Sequence, residues 1–285
     1  METIELEAGG RVRRALVSRA GSGRAPAVIM LHWAGGTAGI AVTQTRWEKM
    51  GRVIGFLTAF PEGTARDPAQ PAEFRRNPQS WNDGSGRGHV TRAAVDDVGF
   101  LAALIDALGA GFGADPTAIF LTGFSNGASL AFRAAAELRG RIRAIAPVAG
   151  HCWVDPPAGS AIPLLYLMGD SDPLNPIEGG EVATPWGGRE RHPAPRRSFE
   201  RWIRAAGCEI AGPREPDGPI EWTGAAGCEI SMRMGIIAGH GHIWPGGPRL
   251  LPERLVGRGV SGLDATEMIA RFFTGLIEPR GSTFA

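Results

Sequence analysis

Across five residues, Gly123-Phe124-Ser125-Asn126-Gly127, the chain changes from one periodicity to another. The apolar, β-branched run Ala118-Ile119-Phe120-Leu121-Thr122 leads in and reads as a buried strand, and the alanine-rich stretch Ala128 to Leu138 leads out and reads as a helix. Strand, tight turn and helix is the context in which G-x-S-x-G carries chemistry. Such a turn holds Ser125 in a strained backbone conformation, and Gly123 and Gly127 bring no Cβ to where strand and helix pass close together. Ser125 then stands at the start of a helix, where free N–H groups and the positive end of the helix dipole favour negative charge on oxygen. The plain alternative is a Gly-rich loop with an incidental serine, in a chain that holds 42 glycines.

The rest of the chain decides between them. Two short strands are expected at Thr3 to Glu7 and Arg11 to Ser18, then a continuous apolar strand, Ala27 to Leu31, suited to the middle of a parallel sheet. Directly after it comes His32-Trp33-Ala34-Gly35-Gly36-Thr37, a Gly-rich loop whose backbone N–H groups are placed to meet an oxyanion. A helix is expected over Thr43 to Met50 and a strand over Val53 to Phe60; Thr64 to Gly88 reads as a long surface loop containing Ser80-Trp81-Asn82. Val95 to Leu108 has a helical period, with Asp96 and Asp97 in its first turn as caps. Further strands, Ile142 to Val148 and Pro163 to Met168, end in Ala149-Gly150-His151-Cys152-Trp153 and Gly169-Asp170-Ser171-Asp172-Pro173. Pro173 to Arg197 reads as a second long loop, followed by a helix over Ser198 to Ala206 and strands over Pro219 to Trp222 and Glu229 to Ile237. The last strand leads to Gly239-His240-Gly241-His242-Ile243-Trp244-Pro245-Gly246, and a final helix, Asp264 to Leu276, starts at an aspartate cap.

Alternating strands and helices imply an α/β architecture, a mostly parallel central sheet with helices on both faces. Its strand ends carry a serine, an acid and a histidine in chain order. A serine hydroxyl is a poor nucleophile at neutral pH; a histidine within reach supplies the base, and an acid fixes the ring's tautomer and stabilises its cation. Asp170 and Asp172 both remain open as the acid on this reading.

With 285 residues, 43% of them hydrophobic and 21% charged, one domain over residues 1–285 with a generous core is expected. A net charge of +1 without a basic block gives no footprint for nucleic acid. The apolar run Ile162 to Met168 is interrupted by Pro163 and is too short to span a bilayer, so no membrane insertion is expected. The first ten residues carry Glu2, Glu5 and Glu7 and no basic, apolar leader pattern, so a cytoplasmic protein is expected unless a leader has been removed. Cys152, Cys208 and Cys228 neither demand nor exclude a disulfide, and without a Cys-x-x-Cys pair no structural zinc is expected. His240 and His242 have no third metal ligand nearby in sequence, and His32 and His151 read as packing or loop-positioning residues.

His32-Trp33-Ala34-Gly35-Gly36, Ser80-Trp81-Asn82, Val95 to Phe100, Gly123 to Gly127, Ala146 to Gly150, Gly169 to Pro173 and Gly241 to Gly246 together resemble the polyhydroxybutyrate depolymerase and feruloyl esterase family of α/β-hydrolases. The resemblance runs from about Ala27 to Phe273. It implies a serine carboxylic ester hydrolase with Ser125 as nucleophile, Asp172 as acid and His242 as base, and with the Ala34 and Asn126 amides as oxyanion hole. It also implies no metal and no organic cofactor, and as substrate a small or polymeric ester, either of hydroxyalkanoates or of the feruloyl type. Trp33 and Ala34 depart from the His-Gly-Cys common in the family; a backbone donor survives, and Trp33 would reshape the acyl side of the cleft. Trp33, Trp81 and Trp244 are the candidate cleft walls. Secreted relatives often carry disulfides near Cys208 and Cys228, which leaves that pairing open. Two rivals stand beside this reading: a serine peptidase of the prolyl-oligopeptidase type, which usually adds a propeller domain, and a catalytically inactive α/β-hydrolase that only binds.

Overall fold

The computed structural model describes residues 1–21, 23–212 and 216–277. Strands β1 (Glu2–Ala8), β2 (Arg11–Ser18) and β3 (Ala25–Leu31) lead to helices α1 (Ala38–Thr45) and α2 (Trp47–Ile54) and to β4 (Leu57–Pro61). A small ribbon, β5 (Thr64–Ala65) with β6 (Gln79–Ser80), precedes α3 (Gly88–Arg92), α4 (Asp97–Phe112), β7 (Ala114–Phe124) and α5 (Asn126–Glu137). Then come β8 (Ala144–Val148), β9 (Leu164–Gly169), a second ribbon of β10 (Gly180–Ala183) and β11 (Arg189–His192), and α6 (Arg196–Ala205). The order closes with β12 (Glu209–Ile210), β13 (Ile220–Ala226), β14 (Met232–Ile237), α7 (Glu253–Val256) and α8 (Ala265–Thr274).

The main sheet is ten-stranded, in the order β1-β2-β4-β3-β7-β8-β9-β14-β13-β12. From β4 to β14 every neighbouring pair is parallel, and antiparallel strands finish both edges. The central strands are buried along their length, as their continuous apolar runs require. Register places Tyr166 of β9 level with Gly123 of β7, through Pro147 of β8. Phe120 and Gly123 lie three residues apart on one strand and so face opposite sides of the sheet. On one side Phe120 stacks at 4.5 Å on Phe273 of α8, which in turn meets Trp47 of α2. On the other, Tyr166 meets Phe132 of α5, which packs against Trp202 of α6. Helices therefore cover both faces.

Three expectations are corrected. The helix read over Thr43 to Met50 is two helices, broken at Arg46, whose left-handed backbone (φ 56°) lets its guanidinium reach Gly246 O at 2.9 Å and Asp264 Oδ2 at 2.5 Å. Val53 and Ile54 belong to α2, not to a strand; Val53 is 81% exposed, and Gly55 (φ 74°) ends the helix before β4. Asp97 is not only a first-turn charge. Asp96 caps α4 through Gly99 N–H, while Asp97 is fully buried, accepts the Arg13 guanidinium at 2.7 Å, and accepts Asn82 N–H at 2.7 Å. Cys208 and Cys228 form a disulfide, and Cys152 is a buried free thiol. Among the described residues no helix is long and apolar enough to cross a membrane.

Candidate active site

Because the central strands are parallel, their carboxyl ends lie along one edge of the sheet, and the loops there share a cavity of about 430 Å³. The turn after β7 forms its floor. Ser125 has φ 56° and ψ −117°, a conformation that L-residues adopt only when the surroundings enforce it. Enforcement is visible: its N–H donates to Val148 O at 2.9 Å and its carbonyl accepts Ser129 N–H at 3.0 Å. A Cβ on Gly123 would lie 2.5 Å from the Gly127 carbonyl carbon, and one on Gly127 would lie 2.5 Å from His32 O. The two glycines let β7, α5 and the loop after β3 meet at van der Waals limits.

His242 lies beyond β14 and is nearly buried, its N–H donating to Val256 O at 2.6 Å and its ring stacked on Phe124 at 4.8 Å. His242 Nδ1 donates to Asp172 Oδ2 at 2.6 Å, and Asp172 Oδ1 accepts the Leu174 and Asn175 amides, each at 2.8 Å. Burial pushes the Asp172 carboxyl up, but the His242 ring and these hydrogen bonds outweigh it and hold the group below the usual carboxylate range. Asp170, two residues away, is exposed and turns to Ser171 Oγ and Gly239 N–H. Of the two aspartates, Asp172 is the one that meets the histidine. Ser125 and His242 line the same cavity, and no hydrogen bond joins the Ser125 hydroxyl to the ring.

Two residues that line the cavity, Ala34 and Asn126, have backbone N–H groups left unspent among the described residues. Asn126 is the first residue of α5, so its N–H has no intrahelical acceptor. Gly35 N–H is spent on Gln79 O at 2.6 Å and Gly36 N–H on Trp33 O at 2.9 Å, whereas the Ala34 amide between Trp33 and Gly35 has no partner among the described residues. His32, wholly buried, fixes that loop: Nδ1 donates to Trp33 O at 2.8 Å and Nε2 accepts Gly63 N–H at 2.9 Å. Burial pushes its ring down to about 4, which keeps this tautomer neutral.

The sequence matches no protein-family model. Over 273 residues it is 29% identical to the putative esterase NocK of Nocardia uniformis subsp. tsuyamanensis, covering 88% of this chain and 74% of that protein. Among solved structures it is similar to an acetyl xylan esterase from Aspergillus awamori, with a TM-score of 0.57 and 13% identity over 85% of this chain and 94% of that one. It is also similar to an S-formylglutathione hydrolase from Agrobacterium tumefaciens, with a TM-score of 0.55 and 13% identity over 96% of this chain and 92% of that one. The chain has the α/β-hydrolase fold.

Within that fold the three tryptophans separate. Trp33 lines the cavity, its indole N–H bonded to Gln44 Oε1 at 3.0 Å. Trp81 touches the cavity but is 1% exposed, and acts as a staple: its indole donates to His32 O at 2.8 Å, and its backbone N–H and carbonyl bond the Asn126 side chain at 2.8 and 3.0 Å. Trp244 is not among the cavity-lining residues, which corrects the expectation of a wall there. It is buried edge-on against Phe124 with its N–H on Thr266 Oγ1 at 3.1 Å, supporting the ring on which His242 stacks.

Sequence reasoning missed the far wall of the α/β-hydrolase cavity. Phe74 stands 5.6 Å from Trp33 and 5.4 Å from Trp186 of the β10–β11 turn, whose indole N–H donates to Phe74 O at 2.6 Å. Asn175 ties this wall to Asp172. Its amide oxygen accepts His151 Nε2 at 2.9 Å and His192 Nδ1 at 2.8 Å, while its Nδ2 donates to Ala149 O at 2.7 Å. Burial takes His151 down to about 3, so it is a neutral support. His240 is likewise structural, with Nε2 on Ile243 O and Nδ1 accepting Val260 N–H. Phe74, Asn175 and Trp186 sit outside any periodic segment and carry no motif, whereas the loop-positioning role of His151 is legible in the sequence.

Proposed function

We propose that the chain is a serine carboxylic ester hydrolase. The observation that carries this reading is the 2.6 Å Asp172–His242 bond at a cavity floor that also holds Ser125 in a strained strand-to-helix turn. Asp172 fixes the ring with Nδ1 protonated, which leaves Nε2 as the base. In this mechanism Ser125 Oγ attacks the ester carbonyl carbon as His242 Nε2 takes its proton. The carbonyl oxygen, now negative, is met by the Ala34 and Asn126 amides, preset donors that need no reorganisation as charge develops. His242 then returns the proton to the departing alcohol, and water resolves the acyl-enzyme by the same route.

The names of the similar proteins support an ester in preference to a peptide substrate. Family resemblance in the motifs suggests hydroxyalkanoate oligoesters or feruloyl-type esters. A cavity of about 430 Å³ with the aromatic wall of Trp33, Phe74 and Trp186 suits a small ester or a chain end. The test is hydrolysis of 4-nitrophenyl acetate and butyrate, a 3-hydroxybutyrate oligomer, methyl ferulate and a peptide anilide by wild type and Ser125→Ala. One ester class should be cleaved, with kcat/KM falling by about 10³-fold or more in the variant. Full activity in Ser125→Ala, or cleavage of the anilide alone, would overturn the assignment.

A further inference from the structure

The charges around the cavity do not balance. Arg66, Arg87 and Arg92 line it, against Asp83 and Glu190. Glu190 is taken by Arg87 at 2.5 Å, and Arg87 lies over the Trp153 ring at 4.3 Å. Asp83 is 3% exposed and spent on Asn126 Nδ2 at 2.8 Å and Ser85 N–H at 3.0 Å. Arg66 and Arg92 are exposed and have no carboxylate or hydrogen-bond partner among the described residues. His89 lies three residues before Arg92 on α3, and its Nε2 donates at 2.8 Å to the carbonyl of Thr64, two residues before Arg66, which ties the two arginine-bearing segments together. Burial lowers the His89 ring below the ordinary histidine range, the Arg66 and Arg92 guanidiniums add to this, and the Thr64 hydrogen bond and the Asp97 carboxylate only partly oppose it.

We propose that this cavity takes an ester bearing a carboxylate, whose charge is met at the rim by Arg66 and Arg92. This rests on the ester hydrolase reading and narrows it. Neither guanidinium is committed to a carboxylate among the described residues, so a substrate carboxylate at this rim can accept a charge-assisted hydrogen bond from them. Their field also draws an anionic substrate toward the floor, an effect that salt screens over about 8 to 10 Å.

The test uses matched probes and the double variant Arg66→Gln/Arg92→Gln. Mono-4-nitrophenyl glutarate is compared with 4-nitrophenyl butyrate for a carboxylate on the acyl side, and 4-acetoxybenzoate with phenyl acetate for one on the alcohol side. For at least one pair, the ratio of kcat/KM for the carboxylate probe to that for its neutral partner should fall about tenfold in the double variant. The same ratio in wild type should shrink as sodium chloride rises from about 20 to 500 mM. Ratios unchanged within about twofold for both pairs overturn the proposal. A second arm titrates monomethyl glutarate into the Ser125→Ala protein by calorimetry, with and without the two arginine changes. Weaker binding on losing the arginines supports the subsite even where no ester is turned over, so absent hydrolysis would count against the ester reading alone. Tighter binding of inorganic phosphate than of monomethyl glutarate overturns the carboxylate assignment.

Discussion

At pH 7 the rings of His32 and His151 are neutral, because burial takes the first down to about 4 and the second to about 3. In the unfolded chain both return to an ordinary value near 6.5. Between about pH 6.5 and 4 the unfolded state therefore binds protons that the folded state does not, and stability falls as pH falls. Each ring contributes about 1.4 kcal/mol per pH unit, or roughly 5 kcal/mol for the two between pH 6.5 and 4.5. Glu62 and Asp97, whose carboxyls burial raises, bind protons earlier when folded and offset part of this. Urea unfolding should show a net loss of about 2 to 5 kcal/mol from pH 7 to 4.5; equal stabilities at the two values would refute the neutral, buried state of these rings. That Ser125 and His242 come to one cavity was legible because each follows an apolar run in a recognisable motif. The choice of Asp172 over Asp170 was not legible from spacing, because two residues of separation become opposite orientations only when the loop after β9 closes on the Asn175 amide.

The meeting of β7 and α5 shows what local pattern can and cannot specify. An apolar run, two glycines and an alanine-rich helix define the turn from sequence alone, and the structure gives it the strained serine that pattern requires. The break between α1 and α2 had no such signal, since an arginine in the left-handed region is selected by distant acceptors on Gly246 and Asp264. Likewise Val53 and Ile54 are β-branched residues overruled by the helix that Gly55 ends. The turn itself makes a sharp prediction. In Gly127→Ala the new methyl would sit 2.5 Å from His32 O, so the loop after β3 or the helix must shift. Stability should fall by about 1 to 3 kcal/mol, read as a lower urea midpoint. The Ala34 amide moves with that loop, so kcat should fall more than KM changes. An alanine variant with wild-type kcat and midpoint would show that the contact is not limiting.

Across the molecule, the floor of the site was legible and its walls were not. Parallel strands bring residues from four separate segments to one edge, so an alternating pattern already implied where Ser125, Asp172 and His242 would gather. The walls come from Pro- and Gly-rich loops, whose positions are set by contacts such as Trp186 on Phe74 and Asn126 on Trp81, with no period to betray them. One buried pair links these loops to the sheet. Arg13 of β2 bonds Asp97 of α4, lies 4.1 Å from the Phe100 ring centre, and donates to Glu62 O, while Asp97 also holds the Asn82 amide beside Trp81. Arg13→Met keeps much of the side chain's bulk and leaves Asp97 buried without its cation. Breaking one side of such a pair costs about 3 to 5 kcal/mol, so the thermal midpoint should drop by many degrees. Ser125 is held independently through Val148 O, so the part of the variant that stays folded at low temperature should retain kcat within about tenfold, with the larger change in KM. If the midpoint does not move, the Arg13–Asp97 pair is not what fastens the Trp81 loop to the sheet, and the fastening falls to the bonds of Trp81 and Asn82 with His32 O, the Asn126 side chain, Val95 O and Arg133.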